Sequence, residues 1–183
     1  MLGESTAVGV GAATQDEALA FSLARALART RDLSVDVQAV GRSGANVATV
    51  RRELALGVEP PVDAALVVLG VNDTLELTRG ARWTSALGAL VRDLRSRGAR
   101  HVLFTGVPPL GELASLPQPT RSALGARAAY LDRLLASVCA SERAHHLAFR
   151  SPLHPELVAR DGFHPSARGY AAWAAALAAA WPV

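Results

Sequence analysis

Two kinds of hydrophobic pattern alternate along the chain. Short apolar runs at residues 34–40, 64–69, 101–105 and 146–149 predict strands. The middle two are nearly unbroken, the pattern of strands buried on both faces. Between them lie longer amphipathic stretches, which predict helices over 15–30, 46–56, 84–97, 120–142 and 166–180. Thr14 and Glu17 have the spacing of a capping box at the start of the first helix. Leu19, Leu23 and Leu27 then form a stripe every fourth residue for the core. In the last helix Trp173, Leu177 and Trp181 repeat at the same interval and read as core.

Strands alternating with helices predict an α/β fold with a mainly parallel sheet of about five strands, covered on both faces. Such sheets bind ligands beyond the carboxyl ends of their strands. Residues that carry chemistry are therefore expected to follow strands.

Composition narrows the class. The 183 residues suit one domain spanning 1–183. Half are hydrophobic and 19% are charged, which excludes a disordered chain. The single cysteine, Cys139, excludes an internal disulfide framework and any multi-cysteine metal centre. No apolar run approaches the ~20 residues of a membrane span. The longest uncharged stretch, 171–183, reads as an Ala-rich packed helix. No secretory signal is visible, and a cytoplasmic location is expected.

The formal charge is +3, and all 19 basic residues are arginine. They fall among apolar residues at helical spacing, as on solvated helix faces, and only 5% of the chain is aromatic. Nucleic-acid binding, which wants basic residues interleaved with exposed aromatics, is not expected.

Four segments follow strands or precede the last helix: Gly3-Glu4-Ser5, Ser43-Gly44, Gly70-Val71-Asn72-Asp73 and Asp161-Gly162-Phe163-His164. A carboxylate three residues from a histidine can accept its Nδ1–H and leave Nε2 free as a base. A turn aspartate beside a surface histidine gives the same pattern. Ser5, among small residues, suits a nucleophile that a base activates, or an ordinary serine in a turn. Gly44 can present a bare backbone N–H and Asn72 an amide to a developing oxyanion, or both can be plain turn residues.

In this order the four segments resemble the blocks of the GDSL/SGNH hydrolase superfamily of esterases and lipases, over nearly the whole chain. The resemblance implies a flavodoxin-like three-layer sandwich and a serine hydrolase that needs no metal or cofactor. It implies Ser5 as nucleophile, His164 as base and Asp161 as the group orienting it. The N–H groups of Ser5 and Gly44 and the Asn72 amide would form the oxyanion hole. The expected substrate is a small-molecule carboxylic ester or thioester. Alternatives are a carbohydrate acetylesterase using the same residues and a non-catalytic small-molecule binding domain. The sequence leaves the oligomeric state open.

The chain departs from the family pattern at two points. Glu4 stands where the family usually has aspartate, and only Met1 and Leu2 precede Gly3, so a shortened first strand is expected. Elsewhere, His101, His145, His146 and His154 are expected to be structural, Cys139 buried, and Asp73 a brace for the turn that aims Asn72. Arg42 could reach the pocket or serve only the surface. The proline-rich segment 107–123 could wall an acyl pocket or be a surface connection.

Overall fold

The structure is a computed structural model and describes residues 1–32, 34–150 and 153–182. Val183, the end of the uncharged run, lies outside the described residues. The two nearly continuous apolar runs form the middle of a sheet. They are β3 (Ala64–Val68) and β4 (His101–Thr105), paired in parallel from Ala64 opposite His101 to Val67 opposite Phe104. Alternate residues go to opposite faces, so Ala65, Val67, Val102 and Phe104 join one core and Leu66, Val68 and Leu103 the other.

Three short strands complete the sheet: β1 (Leu2–Gly3), β2 (Val40–Gly41) and β5 (His145–Leu147). The order is β2-β1-β3-β4-β5 and every pairing is parallel. That is the flavodoxin-like order, with its topological switch point beside β1.

Helices α1 (Leu19–Arg31) and α6 (Ala167–Ala179) cover one face, where Leu19, Leu23 and Leu27 pack with Trp173 and Leu177. The other face is covered by α4 (Gly80–Ser96) and α5 (Thr120–Glu142), together with the helical segment that opens as α2 (Val47–Thr49). The three-layer expectation therefore holds. Among the described residues, no helix is long and apolar enough to cross a membrane.

Several expected boundaries are corrected. The strand expected over 34–40 forms a ladder only at Val40–Gly41, because its neighbour β1 offers only Leu2 and Gly3 to pair with. The helix expected from residue 15 is interrupted. A 3-10 turn covers Gln15–Glu17, Ala18 is extended, and α1 starts at Leu19. Thr14 makes no side-chain cap there; the Glu17 carboxylate instead accepts the Ala13 N–H at 3.0 Å. Beyond α2 the helix widens to a π turn at Val50–Leu54 and tightens to a 3-10 turn at Ala55–Gly57.

Helix α4 begins four residues earlier than expected, which brings Trp83 into the core with its indole N–H on the Leu131 carbonyl at 3.0 Å. A five-residue helix, α3 (Val71–Leu75), was not expected at all. Helix α5 has the expected bounds and ends where Arg143 turns left-handed. Ser166 caps α6 by accepting the Gly169 N–H at 3.2 Å.

Most arginines meet solvent as expected; Arg127 is half-buried, its guanidinium donating to the Thr78 carbonyl. Arg51 pairs with Asp93 at 2.8 Å and Arg100 with Asp63 at 3.0 Å, both in exposed positions where such pairs contribute little to stability.

Candidate active site

The site is built where β1 leaves the sheet. Gly3 passes so close to β3 that a Cβ there would sit 2.0 Å from the Val68 carbonyl oxygen. That carbonyl accepts the Glu4 N–H at 3.1 Å, and the chain then coils through a series of turns. The Val10 N–H returns to the Ser5 carbonyl at 3.0 Å, and the buried Tyr170 hydroxyl of α6 donates to the Val10 carbonyl at 2.6 Å. Ser5 is thereby held on a fixed, largely buried turn at the carboxyl end of a central strand.

His164 arrives from the loop before α6. Its Nε2 lies 2.9 Å from the Ser5 hydroxyl oxygen, across 159 residues of sequence. Its Nδ1 lies 2.6 Å from Asp161 Oδ2. The other Asp161 oxygen accepts the N–H groups of Phe163 at 2.9 Å and His164 at 3.0 Å, so the carboxylate folds the loop that carries its own histidine. Slight desolvation pushes the Asp161 carboxyl up, but those N–H groups and the imidazole outweigh it and hold it below the usual carboxylate range. Phe163 packs edge-on against the imidazole, with ring centroids 5.4 Å apart.

Asn72 and the loop after β2 meet beside Glu4. The Asn72 amide nitrogen donates to Glu4 Oε2 at 2.7 Å and to the Ala45 carbonyl at 3.1 Å. Gly44, next to Ala45, has φ +77°, a left-handed conformation that favours glycine, with open space around it. Among the described residues, the Gly44 N–H has no hydrogen-bond partner. The four blocks are therefore brought together: Ser5 meets His164, which Asp161 holds, while Glu4 ties Asn72 and, through it, the glycine loop to the same strand end.

Glu4 takes a larger part than its sequence position suggested. It is 2% exposed and accepts the Val71 N–H at 3.3 Å and the Asn72 N–H at 3.2 Å, which satisfies the first turn of α3. Burial pushes its carboxyl up to about 7, against the pull of those N–H groups. Asp73 is fully buried beneath, accepting the Val47 N–H at 2.8 Å and the Thr78 hydroxyl at 2.8 Å, and so fastens α3 to α2.

Ser5 and His164 open into a pocket walled by Val71, Pro108, Leu110, Leu113 and Phe163. Pro108, Leu110 and Leu113 belong to the segment 107–123, which walls the pocket at this end; Pro117 and Pro119 lie exposed. The sequence left this segment open between pocket wall and surface connection; it did not point to Val71 or Phe163 as wall residues, because they come from separate elements with no shared period.

Asp132 of α5 anchors the start of this wall, accepting the Val107 N–H at 2.9 Å on the oxygen that also meets His146 Nε2 at 2.9 Å. The wall then rests on α5 where Gly111 meets Gly125, and a Cβ on Gly125 would lie 2.7 Å from Gly111 Cα. Gly125→Ala is expected to lower stability by about 1–3 kcal/mol through overpacking, seen as a lower urea midpoint with an unchanged slope. A midpoint equal to that of the unaltered protein would show that the wall yields freely.

Arg42 turns away to solvent and pairs with Glu53 at 2.6 Å. Cys139 is buried, and burial pushes its thiol up to about 12. Among the described residues, no group of three His, Cys, Asp or Glu side chains is arranged to hold a metal.

The chain is similar to known proteins. The GDSL-like Lipase/Acylhydrolase family matches residues 1–172. A GDSL-like esterase of Mycobacterium tuberculosis is 34% identical over 182 residues, covering 93% of this chain and 57% of that protein. The chain thus spans little more than half of that relative. Among solved structures, a carbohydrate acetylesterase from Sinorhizobium meliloti superposes with a TM-score of 0.69 at 18% identity, covering 98% of this chain and 95% of the other. The inhibitor-bound M. smegmatis aryl esterase gives the same score and identity over 98% and 95%. At that identity these two speak for the fold. With its fold, its ordered blocks and a match along nearly its whole length, the chain belongs to the GDSL-like lipase/acylhydrolase family.

Proposed function

We propose that this chain is a serine esterase that hydrolyses small carboxylic esters or thioesters through an acyl-enzyme on Ser5. The observation that carries the reading is the unbroken line from the Ser5 hydroxyl through the His164 imidazole to the Asp161 carboxylate, at 2.9 and 2.6 Å. In this reading the Ser5 oxygen attacks the carbonyl carbon while its proton passes to His164 Nε2. Asp161 holds the opposite N–H and stabilises the imidazolium. The N–H groups of Ser5 and Gly44 and the Asn72 amide receive the negative charge that forms on the carbonyl oxygen. Collapse expels the alcohol or thiol, which takes its proton from His164. Water then repeats the sequence on the acyl-enzyme, releasing the acid and freeing Ser5.

The apolar wall of Val71, Leu110, Leu113 and Phe163 suits the acyl part of the substrate better than a sugar's hydroxyls. It favours the simple esterase over a carbohydrate acetylesterase. The test is labelling with a fluorophosphonate, read by intact mass and peptide mapping. One adduct on Ser5 is expected, with none on Ser5→Ala. A folded protein that takes no label would be a binding domain instead. A panel of p-nitrophenyl esters, acyl thioesters and acetylated sugars then ranks the substrates, with the simple esters expected to lead.

A further inference from the structure

We propose that Glu4 is the positioning residue of the Asn72 amide, and that the Ala45 carbonyl keeps the place which the substrate's oxyanion takes. The inference rests on the oxyanion role proposed for Asn72. A carboxamide nitrogen carries two hydrogens, and here it has two acceptors: Glu4 Oε2 at 2.7 Å and the Ala45 carbonyl at 3.1 Å. An oxyanion needs one of those hydrogens, so one contact must give way.

The two contacts are unequal. An ionised carboxylate makes the shorter and stronger bond, and Glu4 is fixed from behind by the Val71 and Asn72 backbone N–H groups. The carbonyl contact is longer and neutral, and it lies one peptide from Gly44. It is the contact that yields when a negative oxygen arrives. The longer side chain of glutamate, where the family usually has aspartate, reaches both the backbone and the side chain of Asn72 with one oxygen.

This arrangement requires the charge on Glu4. Three N–H groups converge on the carboxylate, and a protonated acid would turn one of its oxygens from acceptor to donor. Burial has already brought its proton affinity close to neutrality, to about 7, with Asp73 of α3 adding to the rise. Across the shared pocket lies His164, and Asn72 joins the carboxylate to the uncharged Ala45 carbonyl. Activity should therefore need a charged Glu4 as anchor in addition to the free base that the proposed mechanism takes from His164.

The experiment is the pH dependence of kcat/KM for the wild type, Glu4→Gln and Glu4→Asp on a p-nitrophenyl ester. The logarithmic acid limb of the wild type is expected to approach a slope of about two, and that of Glu4→Gln about one. In Glu4→Gln, kcat should fall about 10–100-fold with little change in KM, because a transition-state contact is loosened. Glu4→Asp should recover part of the rate and the steeper limb. A purely structural Glu4 would lower the amount of folded enzyme and leave both slopes alike, which overturns the proposal. If Glu4→Gln does not fold, a slope of one in the wild type overturns it equally. Phosphonate labelling of Ser5 keeps this outcome separate from failure of the esterase reading.

Discussion

Ser5→Ala is expected to reduce kcat on any ester this protein hydrolyses by about 10⁴–10⁶, with the fold unchanged. The methyl group cannot form the acyl bond, and what remains is the charge stabilisation of the oxyanion site and the orientation of bound substrate. The serine is held by backbone contacts, so removal of its hydroxyl leaves the turn intact: the Val10 N–H still finds the residue 5 carbonyl. Circular dichroism and thermal midpoint should therefore match the parent. If Ser5 and His164 act as one unit, as proposed, Ser5→Ala combined with His164→Ala should be no slower than either alone. A Ser5→Ala variant that keeps a tenth of the parent rate would end the covalent mechanism.

Asn72→Ala is expected to lower kcat by about 10²–10³, with KM within a few-fold. The reason is differential: the amide is satisfied by Glu4 and Ala45 without substrate, and in the proposed role it gains its worth only when charge develops. The variant also removes a donor from the buried Glu4 carboxylate, so its stability is measured alongside its rate. Labelling of Ser5 by the fluorophosphonate should slow as well, since the proposed oxyanion site would also receive the phosphonyl oxygen. A variant with full rate would remove Asn72 from the oxyanion site.

Much of this was legible in the sequence because local pattern and tertiary role agree. The apolar runs of β3 and β4 are strands because both their faces are covered. Helix α5 keeps its expected bounds because its stop is local, a left-handed Arg143. The histidine and its aspartate were readable because they share one short loop. What could not be read depends on partners far away in the chain. Residues 34–39 alternate like a strand, yet pairing needs a neighbour, and β1 supplies two residues. Helix α3 exists because a carboxylate from residue 4 meets its first N–H groups, which no window around residue 72 can show. The glycine contact between residues 111 and 125 is equally invisible, since neither residue has a side chain to form a pattern.

The 159 residues separating the hydroxyl from its imidazole have a consequence for folding. Contacts that distant carry a loop-closure entropy that local contacts do not. The proposed nucleophile and base are both anchored to the same face through α6: Tyr170 holds the serine turn, and Ser166, at the foot of the histidine loop, caps the helix. Docking α6 against α1 is thus what brings the proposed nucleophile and base into register. Loosening that one helix would silence the chemistry while most of the secondary structure persisted.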